Sequence, residues 1–234
     1  MHAQTHPTPF PTSHPLAHTG QPMLIGLIGA PGAGKDTVAS VLREAGFDCT
    51  AFASALREEV AEAWAIDDSM LTRRHTKELP LERLAAGRSN NAQWLAYVAR
   101  QDWSLTQARS ARWVMQAWGE WRRLSNPEHW TASVAHWIRA NRELLGVVNL
   151  VVTDVRHSNE AELVRSAGGY LVRVHRPAHD VLTPETANHI SEQHTALRVD
   201  DDIQNDGSIQ QLAEETLRVW RRLHGRIMVA RWQA

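Results

Sequence analysis

Gly29-Ala30-Pro31-Gly32-Ala33-Gly34-Lys35-Asp36-Thr37 is the stretch on which the fold of this chain turns. Met23-Leu24-Ile25-Gly26-Leu27-Ile28 precedes it, an apolar run of the kind that forms a buried parallel strand. Val38, Ala39, Val41, Leu42 and Ala45 follow with the spacing of one helix face. Between a strand and a helix, a G-x-x-x-x-G-K match carries a mechanism. The glycines let successive backbone N–H groups turn inward as a nest for anionic oxygens. The helix adds its positive N-terminal end, and Lys35 reaches the outer phosphates of a nucleoside triphosphate.

The residue after such a lysine usually ligates Mg²⁺ through a hydroxyl. Here it is Asp36, followed by Thr37. A carboxylate beside a triphosphate is repelled unless a cation lies between them. Asp36 therefore reads as a magnesium ligand, direct or through water, leaving the Thr37 hydroxyl for a phosphate oxygen. The plainer alternative is a helix cap.

The composition narrows the classes. At 234 residues and 43% apolar, the chain suffices for one large domain, or a domain with an inserted helical lobe. No apolar run is long enough to cross a membrane. With 25 Lys and Arg against 26 Asp and Glu, net charge −1, there is no bulk signature of nucleic-acid binding. The single Cys49 excludes an internal disulfide and suits a reducing cytoplasm. Ten tryptophans are present, seven of them from Trp94 to Trp137.

Residues 1–22 hold five prolines, four histidines and no Lys, Arg, Asp or Glu, a composition expected to stay disordered. The remainder, 23–234, reads as one α/β domain. Phe47–Phe52 is expected as a second strand, and a helix from about Ala53 carries Arg57 where ligands meet a parallel sheet. From about 68 to 145 the pattern is helical, with segments expected over 80–86, 92–108, 110–118 and 127–143. In that insert Arg112 and Gln116 share a helix face, one suited to phosphate and the other to a base edge. Gly146–Asp154 reads as a central strand ending in the acid that helps hold Mg²⁺ in P-loop enzymes. A helix capped by Ser158, a strand Tyr170–Val174, a polar lid over about 177–197, a short strand Val199–Ile203 and a last helix complete the order.

These segments resemble the phage-type deoxynucleoside monophosphate kinases, members of the P-loop nucleotide kinase superfamily. The resemblance runs over about 23–222. It rests on Gly29…Gly34-Lys35-Asp36-Thr37, Phe52-Ala53…Leu56-Arg57, Arg112…Gln116…Gly119 with Arg122 and Arg123, Thr153-Asp154-Val155-Arg156…Asn159-Glu160, Arg173-Val174…Arg176-Pro177 and Ile203…Asn205-Asp206-Gly207. Asp36 belongs to that family's pattern. Gly119-Glu120-Trp121 departs from it, where many relatives have Gly-Thr followed by an acid.

The resemblance implies a P-loop NTPase-like parallel sheet flanked by helices, with the helical insert binding the acceptor. It implies transfer of the γ-phosphate of ATP, or dATP, to a dNMP acceptor with Mg²⁺, a homodimer, and a role in dNTP supply in a host cytoplasm. Lys35, Arg112, Arg123 and Arg156 would act on the transferring phosphate. Gly29, Ala30, Gly32, Ala33, Gly34, Lys35, Asp36, Thr37, Arg176 and Asn205 would bind the donor. Arg57, Arg112, Gln116, Gly119, Arg122, Arg156 and Glu160 would bind the acceptor, and Asp36 and Asp154 would hold the metal. Three rivals stand beside this. A dephospho-coenzyme A kinase shares the architecture but resembles a Gly-Lys-Ser loop. A kinase of hydroxymethylated bases in phage DNA should need a basic groove. A GTPase switch needs an Asn-Lys-x-Asp segment, which the sequence lacks.

Overall fold

The structure, a computed structural model, describes residues 22–73, 77–145, 148–177 and 197–232. The expected tail, apart from Pro22, and the expected lid, apart from its end residues, lie outside them.

Five strands form one sheet: β1 (Leu24–Ile28), β2 (Phe47–Thr50), β3 (Asn149–Val152), β4 (Tyr170–His175) and β5 (Asp201–Gln204). The order is β2-β3-β1-β4-β5 and every pairing is parallel. Successive side chains of a strand point to opposite faces. Leu24 and Ile28 of β1 accordingly enter one core cluster, and Ile25 and Leu27 the other. The second cluster lies under α1 (Lys35–Glu44) and the long terminal helix, numbered α8 below (Ile209–Trp232). The first lies under the helices of the insert and α7 (Ser158–Ser166). Gly26 makes that packing close: a Cβ there would stand 2.9 Å from Leu171 and 3.1 Å from Val164.

The expectation of an α/β sheet flanked by helices is met by the observed topology. Between β2 and β3 the chain runs through α2 (Phe52–Trp64), α3 (Ser69–Thr72), two short turns of 3-10 helix, α4 (Ala92–Arg100), α5 (Ala111–Ser125) and α6 (His129–Leu145). The helix expected over 80–86 is those two turns. The helix expected over 92–108 stops at Arg100, and Asp102 takes a φ of 54°, outside the helical region. β2 ends at Thr50 because Phe52 already opens α2, and β3 ends two residues before Asp154. α7 is capped by His157, one residue earlier than expected.

The tryptophans are the insert's core. Trp94 is fully buried, with ring centroids of Trp118, Trp121 and Trp64 at 5.3, 5.5 and 5.7 Å, spacings typical of packed aromatic pairs.

Candidate active site

The loop from β1 to α1 emerges where the chain order reverses across β1, with β3 on one side and β4 on the other. Open parallel sheets bind ligands there, beyond the carboxyl ends of the strands. Gly34 takes a φ of 105° as the N-cap of α1, a left-handed conformation that side chains other than glycine's strain to adopt. The N-cap is therefore not Asp36, which sits exposed in the first turn. The Lys35 ammonium donates to the carbonyls of Gly29 at 2.7 Å and Ala30 at 2.9 Å, spanning the loop. Burial, followed by the Arg156 charge, pushes its pKa down to about 8 against the pull of Asp36 and Asp154. A bound polyphosphate would reverse that pressure.

Beneath the loop, Asn205 follows β5 and donates from Nδ2 to the Ala33 carbonyl at 2.8 Å. Asp154 is buried, and its oxygens accept the Phe52 and Ala53 N–H groups at 2.7 and 3.0 Å. It thereby satisfies the first N–H groups of α2. Each carboxylate oxygen keeps a further lone pair. Asp154 and Asp36 both act on Lys35 electrostatically, so the two acids flank the same lysine.

Around this centre lie cations from separate segments. Arg57 on α2 donates to Ser54 Oγ at 3.0 Å and stands 3.6 Å from Asp68. Arg112 in the first turn of α5 pairs with Glu78. Arg123, two turns further than Gln116, stands 3.7 Å from Glu160. Arg156 follows β3, and its N–H donates to Glu160 Oε2 at 2.7 Å, as does that of His157 at 3.1 Å. Glu160 is buried, which raises its pKa to about 7 despite those two N–H donors and Arg123. Arg156 lies within electrostatic range of Lys35, Arg123 and Lys77, and Lys77 also senses Arg57 and Arg112. The six cations thus fall within electrostatic reach of one another in a chain beside the P-loop, a basin that also holds the carboxylates of Asp36, Asp154, Glu78 and Glu160.

Other expected residues fall differently. Arg122 donates to Glu59 Oε2 at 2.7 Å, with its guanidinium over the rings of Trp121 and Trp118. Glu59 also accepts from Trp118 Nε1 at 2.9 Å and meets His129 Nε2 at 2.6 Å. Arg122 thus belongs to a knot joining α2, α5 and α6, apart from the basin. Gly119 is buried against Leu56 of α2, and Gln116 is exposed on α5. Thr37 is half-buried in α1, and Arg176 lies exposed just beyond β4. Sequence reasoning missed Lys77 and Glu59. Lys77 sits in a short polar stretch with no periodicity, and Glu59 on a helix face that reads as solvated.

Magnesium can be tested against these groups. Among the described residues, no three His, Cys, Asp or Glu converge as a metal site. Mg²⁺ in kinases is held by one or two carboxylates together with substrate phosphates. An exposed Asp36 and an Asp154 with spare lone pairs, both near Lys35, fit that demand.

A P-loop followed by a basic basin, at the switch point of a parallel sheet, defines a phosphotransferase-type nucleotide-binding protein. Residues 75–216, more than half of the chain, match the family model described as deoxynucleotide monophosphate kinase. The chain belongs to that family, and it is accordingly a nucleotide kinase. A provisionally named deoxynucleotide monophosphate kinase of Acanthamoeba polyphaga mimivirus is 27% identical over 161 residues, covering 66% of this chain and 75% of the relative. Among solved structures, TT1252 from Thermus thermophilus aligns with a TM-score of 0.47 and 16% identity, over 86% of this chain and 97% of that one. A dephospho-CoA kinase from Campylobacter jejuni aligns with a TM-score of 0.47 and 10% identity, over 85% and 96%.

Proposed function

We propose that this kinase transfers the γ-phosphate of ATP or dATP to a deoxynucleoside 5′-monophosphate, giving the diphosphate. The observation that carries the reading is the basin of Lys35, Arg57, Lys77, Arg112, Arg123 and Arg156. Six cations beside one P-loop suit two phosphorylated ligands meeting end to end. The acceptor phosphate is already an anionic nucleophile, so positioning and charge neutralisation carry the rate and no strong general base is required.

In this reading the backbone nest from Gly29 to Gly34 and the Lys35 ammonium hold the donor phosphates. The Thr37 hydroxyl and Arg176 lie on the donor side, and Asn205 fixes the loop from below. Arg57 and Arg112 grip the acceptor phosphate, and Gln116 faces the acceptor base. Arg123, whose guanidinium approaches Glu160, and Arg156, whose backbone N–H Glu160 accepts, neutralise the group in transit. Asp36 and Asp154 would hold Mg²⁺, which supplies charge neutralisation on the donor phosphates when bound. We assign the enzyme to the cytoplasm as a homodimer on the family resemblance alone.

The test is a panel of NMPs, dNMPs and short DNA incubated with ATP and Mg²⁺, scoring diphosphate formation and DNA labelling. Diphosphate from at least one dNMP is the expected result. Labelled DNA with every dNMP untouched would transfer the case to a DNA-base kinase.

A further inference from the structure

Lys77 lies outside every motif read from the sequence, yet its place in the fold is specific. Its carbonyl accepts the Arg112 N–H at 3.0 Å, which fixes residue 77 against the N-terminal end of α5. The neighbouring Glu78 carboxylate is already engaged by the Arg112 guanidinium. Among the described residues no hydrogen bond or ion pair holds the Lys77 ammonium, although the residue is half-buried. The charges that act on it are those of Arg112, Arg156 and Arg57, with Glu78 the weakest influence.

Four cations thus converge from four separate segments: α2, the stretch before α4, the first turn of α5 and the loop after β3. Arg57 and Arg112 have carboxylate neighbours in Asp68 and Glu78, but among the described residues no carboxylate closes on the Lys77 ammonium, so repulsion and partial burial oppose placing it there. A dianion among them removes the conflict. We propose that Lys77 is a ligand of the acceptor's phosphate group, completing with Arg57, Arg112 and Arg156 the pocket that receives it. The inference rests on the kinase reading above and adds a residue to its acceptor side. The division of labour is chemical: the planar guanidinium of Arg112 suits a two-pronged grip, and a compact ammonium reaches a remaining phosphate oxygen as a point charge. Burial and the three guanidiniums also hold the Lys77 pKa below its ordinary value, the direction expected of a cation waiting for an anion.

The test compares the full-length wild type with Lys77→Gln and Lys77→Arg. It reads the KM for the best dNMP of the panel and for ATP, the affinity for that dNMP and for its phosphate-free deoxynucleoside, and ligand-free melting. Lys77→Gln should raise the KM and the dissociation constant of the dNMP about tenfold or more. It should leave the deoxynucleoside affinity and the KM for ATP in place. Melting without ligand should be unchanged or higher, since a repulsion has gone, and Lys77→Arg should recover most of the affinity. An unchanged dNMP affinity in Lys77→Gln overturns the assignment. So does a loss shared by deoxynucleoside and ATP with lower melting, which marks a packing role. A wild type that phosphorylates no dNMP overturns the dNMP acceptor proposed above, and the assignment of Lys77 with it.

Discussion

Asn205 Nδ2 donates to the carbonyl of Ala33 at 2.8 Å across 172 residues of chain, bolting the P-loop to the carboxyl end of β5. A Cβ on Gly34 would stand 2.5 Å from that same nitrogen. Glycine at 34 therefore answers both a backbone conformation and a close neighbour. Asn205→Ala removes the donor and leaves a buried carbonyl unpaired, costing about 1–3 kcal/mol. We expect lower melting and a higher KM for ATP, with the KM for the dNMP nearly constant. Gly34→Ala should be worse on both counts. An Asn205→Ala variant with wild-type melting and ATP kinetics would show the bolt to be dispensable.

Lys35→Ala removes the one ammonium that spans the P-loop. Turnover should fall by about a hundredfold or more, as when a charge contact made mainly in the transition state is deleted. Circular dichroism should still report the folded α/β domain. Near-normal kcat would take the P-loop lysine out of the mechanism.

Asp36→Asn keeps size and one oxygen but removes the charge. As a metal ligand, Asp36 predicts that the variant needs more Mg²⁺ for half-maximal rate. Nucleotide binding in chelator should tighten or hold, because a repulsion is gone. Titrating Mg²⁺ at saturating ATP decides the matter, and an unmoved requirement excludes the ligand role.

Arg112 and Arg122 share α5 but should separate in assay. Arg112→Ala, in the basin, should raise the KM for the dNMP about tenfold or more with ATP little affected. Arg122→Ala strips Glu59 of its cation partner and uncovers Trp121 and Trp118. Its expected effect is lower melting, by about 1–3 kcal/mol of stability, with the dNMP KM close to wild type. A large KM effect confined to Arg122→Ala would return that residue to the acceptor pocket.

Glu160 gives a pH signature. Its pKa is raised from 4.5 to about 7 in the folded chain, chiefly by burial. Between those values the folded state holds a proton that the unfolded state has lost. Stability from this group is therefore full below the lower value and lost as pH rises through the upper one, by up to about 3 kcal/mol. Denaturant titrations from pH 4 to 8 should show that decline in the wild type and a flatter curve in Glu160→Gln. Identical profiles would mean that folding leaves the Glu160 pKa at its ordinary value.

The local elements were legible in the sequence because each is dictated locally. The run Leu24–Ile28, the glycines around Lys35 and the apolar spacing after it specify strand, nest and helix within twenty residues. Asp154 and Arg156 were legible by their place after an apolar strand. Helix ends were less so: nothing in the polar stretch after Arg100 announced that Asp102 would leave the helical region. What only the tertiary structure decided is which charges meet. Arg122 and Arg123 are neighbours in the chain, but successive residues point about 100° apart around a helix. One turns to Glu59 within the helical lobe and the other to Glu160 beside β3. Lys77 joins Arg57, Arg112 and Arg156 through crossovers of twenty to eighty residues, and Asn205 reaches Ala33 because β5 comes parallel to β4. A sequence specifies periodicity over a few residues; the meeting of distant charges depends on strand order and helix packing, which no local pattern encodes.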